Sequence, residues 1–239
     1  MRPLIALVLF TAIARADATV PADAKGPPLR CADSDRAYER DARSERVARA
    51  QSIAGAGFTF AQAAAHYVLF HQAWPTGRPG LSVVVDLDGR RALEFPEGAE
   101  GLVEDAAGRL VGVLSIDMGR SELRLVDAAD RVRWRAGVTD IWFDSAVAVI
   151  AGRQLIVATF RRFATGSALH SYDLATGRLL WTGKVEQVNA AHSEYFNDVT
   201  VELAGDRVVL RGIESSGCYV QTFDAATGRR LSSRMKRRF

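Results

Sequence analysis

A block of ten residues occurs twice in this chain, and its fainter copies set the period of everything around it. Tyr172-Asp173-Leu174-Ala175-Thr176-Gly177-Arg178-Leu179-Leu180-Trp181 is matched by Phe223-Asp224-Ala225-Ala226-Thr227-Gly228-Arg229-Arg230-Leu231-Ser232. A shorter version reads Val126-Asp127-Ala128-Ala129-Asp130-Arg131-Val132-Arg133-Trp134, and the weakest reads Val85-Asp86-Leu87-Asp88-Gly89-Arg90-Arg91-Ala92-Leu93. The aspartates at 86, 127, 173 and 224 are spaced 41, 46 and 51 residues apart. Ahead of each of the last three lie two apolar segments around a glycine turn. Leu102–Glu104 and Leu110–Ile116 flank Gly108-Arg109, Ala146–Ile150 and Leu155–Phe160 flank Gly152-Arg153, and Val199–Leu203 and Val208–Gly212 flank Gly205-Asp206. Each unit therefore reads strand, turn, strand, loop, strand ending in Asp, tight turn, strand. Four strands in roughly 45 residues is the size of one propeller blade.

The turn has its own chemistry. An Asp carboxylate caps the backbone N–H groups that follow it, Gly supplies positive φ, and a Trp four residues later can wedge between neighbouring sheets. This Asp-x-x-Thr-Gly-x-x-x-Trp pattern resembles the blades of quinoprotein-like (PQQ-like) β-propellers over about residues 81–239, with the full pattern at Asp173–Trp181. The resemblance implies an all-β, propeller-like array of about four four-stranded repeats over residues 57–239. The first unit is completed from Phe58–Ala61 or Tyr67–Phe70. A closed four-blade ring, an open partial propeller and a β-sandwich all fit this pattern.

The N-terminal quarter has a different texture. Arg2, the apolar run Leu4–Ala14 and the small-x-small triplet Ala16-Asp17-Ala18 form a secretory signal peptide over residues 1–18, with the mature chain starting near Thr19. The 11-residue run is too short to span a bilayer, which needs about 20 apolar residues. Cys31 is no lipidation site, because Arg30 stands where a small residue is required. Residues 19–32 are a Pro/Gly-rich linker, and residues 33–54 read as one polar helix, capped by Asp33 or Ser34 and ended by Gly55 and Gly57. Its apolar stripe of Tyr38, Val47, Ile53 and alanines is thin, so the helix packs weakly or lies on the surface. The product is then an exported chain of the periplasm or exterior that does not span the membrane.

Charge narrows the partners. The net charge is +3, yet Arg229, Arg230, Arg234, Lys236, Arg237 and Arg238 crowd the last eleven residues. The rest of the mature chain carries 23 basic and 27 acidic residues, a net of −4. Export makes nucleic acid an unsuitable partner, and the tail reads as a solvated end. Phosphate-loop, zinc-protease, Gly-x-Ser-x-Gly and Cys-x-x-Cys signatures are absent from the sequence. His66 and His71 sit an odd number of residues apart on one strand, so they face opposite sides and share no metal. Asp86-Leu87-Asp88-Gly89 lacks the later ligands of a calcium loop and reads as a hairpin turn. Nothing matches the cofactor-stacking Trp and calcium site of quinone enzymes in the resembling family, so no cofactor and no metal are expected.

Two expectations concern particular residues. Cys31 and Cys218, the only cysteines, make an even pair in an oxidising compartment and are read as a disulfide that staples the N-terminal segment to the last unit. The segments Asp140-Ile141-Trp142-Phe143-Asp144-Ser145 and Glu194-Tyr195-Phe196-Asn197-Asp198 precede equivalent strands and place similar residues on one face. Asp140, Trp142, Asp144, His192, Glu194, Tyr195 and Asp198 combine flat aromatic faces with carboxylates, a mixture that suits a sugar or a small cationic ligand. The resulting reading is a non-catalytic propeller-like binding or scaffold module that takes a protein partner or such a ligand through loops on one face. The alternative is a hydrolase or lyase acting on an envelope or extracellular carbohydrate, marked by two converging carboxylates, one with a raised pKa.

Overall fold

The computed structural model describes residues 29, 31, 37–72, 80–117, 119–138, 144–161, 167–188 and 197–237. The proposed signal peptide and the helix caps Asp33 and Ser34 lie outside these residues.

The expected single helix is two, α1 (Ala37–Ala42) and α2 (Glu45–Ala54). The break sits at Ser44, whose backbone is extended (φ −75°, ψ 147°) and whose hydroxyl accepts the Val47 N–H, making it an N-cap. Gly55 ends α2 as expected, at φ 95°, donating its N–H to the Gln51 carbonyl. The thin apolar stripe does more than lie on the surface. Val47 and Ala50 are buried against Val68, Phe70, Val83 and Val85. Alanine on the helix lets its backbone approach a sheet of bulky β-branched and aromatic side chains.

From residue 58 onward the chain folds as four separate antiparallel sheets, each a meander in chain order. Blade 1 holds β1 (Phe58–Ala63), β2 (Tyr67–Gln72), β3 (Ser82–Asp86) and β4 (Arg91–Phe95), so both candidate segments complete it. Blade 2 holds β5 (Gly101–Glu104), β6 (Leu110–Asp117), β7 (Glu122–Val126) and β8 (Val132–Gly137). Blade 3 holds β9 (Ser145–Ala151), β10 (Gln154–Phe160), β11 (Ser167–Asp173) and β12 (Leu179–Gly183). Blade 4 holds β13 (Asn197–Ala204), β14 (Arg207–Glu214), β15 (Gly217–Asp224) and β16 (Arg230–Arg237). The first strands pack side by side, β1 on β5, β5 on β9 and β9 on β13. They surround a shared axis, which is propeller-like and unlike a two-sheet sandwich.

The repeat motif does what its chemistry requires. The Asp173 carboxylate accepts the N–H of Ala175 (3.2 Å) and Thr176 (2.9 Å) and the Thr176 hydroxyl (2.9 Å). Asp224 repeats the pattern on Ala226 and Thr227. Asp86 caps a β3–β4 hairpin through Asp88 and Gly89, as read from the sequence. The Trp181 indole N–H donates to the Ala225 carbonyl of the next blade at 3.0 Å, and Trp134 does the same to Leu174. Gly177 (φ 72°) and Gly228 (φ 71°) hold the turns and also seat these rings: a Cβ there would fall 2.6 Å and 2.4 Å from Trp134 and Trp181. Where blade 1 has Leu93 in the Trp position, the blade 2 turn uses Asp130 at φ 57° in place of glycine. Wedge and seat are present together or absent together.

The ends of the array are finished differently. α2 packs on all four strands of blade 1, covering the face that a preceding blade would cover. α1 packs on both β1 and β13, so it stands where the last blade comes round to the first. Cys31 and Cys218 form the expected disulfide, with Cα atoms 5.5 Å apart, fastening the N-terminal segment to β15. β16 is the expected polar final segment, and it is a full-length strand with no buried side chain.

Candidate functional site

The four inner strands and α1 line an axial cavity of about 280 Å³. Tyr38 of α1 ties its wall together. Its hydroxyl donates to the Phe60 carbonyl of β1 (3.1 Å), its backbone N–H donates to the Asp198 carboxylate of β13 (2.9 Å), and its ring lies 5.1 Å from that of Phe60. Gln62 of β1 accepts the Leu102 N–H of β5 at 2.8 Å, joining blades 1 and 2 at the axis. Glu104 and Asp198 bring carboxylates to the wall beside Phe60 and Val147, a lining suited to a small cation or a polyol.

Both histidines near β2 hold blade 1 to blade 2. His66 Nδ1 donates to the Glu104 carboxylate at 2.7 Å and its backbone N–H to the same group at 3.1 Å. This hydrogen bond raises the His66 pKa above the ordinary imidazole value, with burial opposing it. His71 Nε2 donates to the Ala99 carbonyl at 2.6 Å.

A second carboxyl group, unremarked in the sequence, stands out by its titration. Glu100, just before β5, accepts the Ile116 N–H at 2.9 Å. Burial pushes its pKa up to about 8, the Ile116 bond holds it down, and the charge of Asp144 raises it further. The Glu100 carbonyl also accepts the Ala146 N–H at 2.9 Å, and a Cβ on Gly101 would meet the Ala146 carbonyl at 2.5 Å. Blades 2 and 3 therefore touch backbone to backbone here, beside the carboxyl.

Of the residues expected to form a loop site, Asp144 and Asp198 are described and Asp140, Trp142, His192, Glu194 and Tyr195 lie outside the described residues. Asp144 immediately precedes β9, is exposed, and accepts the Ser145 hydroxyl at 3.2 Å. Asp198 is the second residue of β13, partly buried on the cavity wall. They stand at the starts of neighbouring inner strands, Asp198 turned to the channel and Asp144 to solvent and Glu100.

A wider cleft of about 710 Å³ separates the outer parts of blades 1 and 2, where the wedge Trp is missing. Buried Arg124 crosses its floor, bonded to Glu97 (2.7 Å) and Asp117 with Glu122 at 3.6 Å. Its cation is matched within the blade pair, as a buried guanidinium requires. Sequence spacing carried no signal for Glu100, Tyr38 or Arg124. Each matters through a neighbour more than 15 positions away in the chain.

Among the described residues no helix is long and apolar enough to cross a membrane. Residues 119–237, from β7 through β16, match the family model described as outer membrane protein assembly factor BamB. No curated protein sequence matches the chain. Hydrazine synthase of Kuenenia stuttgartiensis aligns at TM-score 0.46 and 14% identity, covering 72% of this chain and 46% of that one. BamB from Moraxella catarrhalis aligns at TM-score 0.35 and 12% identity, covering 74% of this chain and 72% of that one. The chain thus spans less than half the length of the hydrazine synthase chain.

Proposed function

We propose, on the premise that residues 119–237 carry PQQ-like repeats of the outer membrane assembly factor BamB family, that this chain is an exported, non-catalytic propeller module that holds a protein partner through loops on one face. The family match carries this reading. The disulfide supports export, since such bonds persist in oxidising compartments. The axial cavity, at about 280 Å³, falls at the foot of the range for small-molecule sites, which favours the loop surface over the channel as the place of binding. Asp140, Trp142, Asp144, His192, Glu194 and Tyr195 are the residues we assign to that surface; Asp198, on the cavity wall, belongs to the channel.

The test is a paired one. Mature protein recovered from the envelope fraction should begin near Thr19, and covalent capture should bring down one stoichiometric envelope protein. Replacing Trp142 and Tyr195 together by Ala should cut that capture at least about tenfold with an unchanged melting temperature. Capture that survives the double replacement, or a cytoplasmic product retaining Met1, would overturn the reading.

One observation favours a second reading, carbohydrate cleavage. Burial raises the Glu100 pKa to about 8 and the charge of Asp144 raises it further, and a carboxyl of raised pKa near a second carboxylate is the arrangement that glycoside-cleaving pairs use. Release of reducing ends from envelope polysaccharide, abolished by E100Q and by D144N separately, would establish it. Equal release by both variants and the wild type would end it.

A further inference from the structure

We infer that the free edge of β16 is a docking strand for an acidic, extended segment of a partner protein. This rests on the reading of the chain as a binding module and names a second surface, away from the loop face.

Three features of β16 set it apart from the other outer strands. β4, β8 and β12 have five, six and five residues, and each buries at least one side chain. β16 has eight residues, buries none, and carries Ser232 in the wedge position. Among the described residues no further strand pairs with it, so alternate backbone N–H and C=O groups along Arg230–Met235 face outward, with Cys31 standing beside the Lys236 carbonyl.

Charge selects the occupant. Glu186 already pairs with Arg230 and accepts the Ser233 hydroxyl at the start of the strand, while Arg234, Lys236 and Arg237 crowd its other end. Pairing with β15 puts Arg234 and Lys236 on the face of Val220 and Cys218, and Met235 and Arg237 on the face of Tyr219 and Gly217. Cations therefore fringe both faces of the edge. An extended chain lying alongside would offer alternate side chains to both rows, whereas a flat lipid surface would meet one row only. A second copy of β16 would set three cations against three, which disfavours edge-to-edge dimers.

The probe is a fluorescent synthetic peptide, Glu-Glu-Val-Val twice over, whose carboxylates fall on both faces of an extended chain, titrated against the full mature protein. Two companions accompany it: the same peptide with Lys for Glu, and one with alternate backbone amides N-methylated. The expected result is binding of the Glu-Val peptide, no binding of the Lys peptide, and loss on N-methylation, which keeps charge and removes strand pairing. R234E/K236E/R237E should weaken binding at least about tenfold, its intact disulfide and unchanged melting temperature showing a folded protein. Equal binding of the N-methylated peptide would overturn strand docking. So would co-flotation with phosphatidylglycerol vesicles in the absence of peptide binding, which would assign the cations to a membrane. A wild-type dimer that the triple variant dissolves would assign the edge to a second copy, and would overturn the proposal too. W142A/Y195A should bind the peptide normally, so failure of the loop-face reading and failure of this one give different results.

Discussion

Replacing Cys31 and Cys218 together by serine removes the one covalent link between the N-terminal segment and blade 4. The bond closes a loop with a sequence separation of 187. In the chain-entropy treatment a loop of that size contributes about 5 kcal/mol by constraining the unfolded chain. For a domain of this size each kcal/mol shifts the midpoint by about 2–4 °C, so the variant should melt roughly 10–20 °C lower. The loss should also be localised. α1 has six residues, too short to persist by itself, and its place between β1 and β13 rests on Tyr38 and on the tether. Calorimetry on wild type and variant without reductant gives the magnitude, and hydrogen exchange gives the place. Protection should fall first at the Tyr38 amide and along β13, with the central strands β10 and β11 spared. Adding reductant to the variant should change nothing. A variant that melts within about 2 °C of the wild type, with the Tyr38 amide still protected, would refute the claim that this bond holds the ends of the array together.

The wedge and its seat should behave as one unit. W181A should cost about 3–5 kcal/mol in urea unfolding. G228A, which drives a Cβ into the same ring from a residue at φ 71°, should be destabilising in the wild type and much milder in W181A. Additive effects would mean that ring and glycine do not meet. Glu100 predicts a pH dependence with a definite sign. Its folded pKa is raised from 4.5 to about 8, so the folded state binds the proton more tightly. The associated stability is complete below 4.5 and is lost as pH rises through about 8. E100Q should gain on the wild type between pH 5 and pH 9 in urea midpoints, and a constant difference would contradict the burial argument. His66, raised by its bond to Glu104, contributes stability that is present below 6.5 and lost as pH rises through its higher folded pKa. In an NMR titration its imidazole should release its proton above 6.5, and E104Q should bring the midpoint back down.

The blades were legible because their signals are local. An Asp that caps the next few N–H groups and a Gly at positive φ act within five residues, so Asp173–Gly177 and Asp224–Gly228 announce the same turn wherever they occur. The disulfide was legible by arithmetic, since two cysteines in an oxidising compartment have only each other. Helix α2 was visible, but its break from α1 was not, because Ser44 is an ordinary helix residue until its side chain turns to cap Val47. The Trp wedges were foreseen, whereas their coupling to the glycine of the following blade appears only when the sheets are packed. Arrangement of the units around an axis, the cavity they line and the capping of blade 1 by α2 were decided by tertiary structure alone. Repeat chemistry makes each blade but does not count the sectors of a ring. That is set by where Val47 and Ala50 find an apolar sheet face, and by Tyr38 reaching Phe60 and Asp198 at once. Glu100 makes the same point about the site: its pKa is raised by burial beside blade 3 and by the charge of Asp144, and nothing in its own stretch of sequence differs from that of an exposed glutamate.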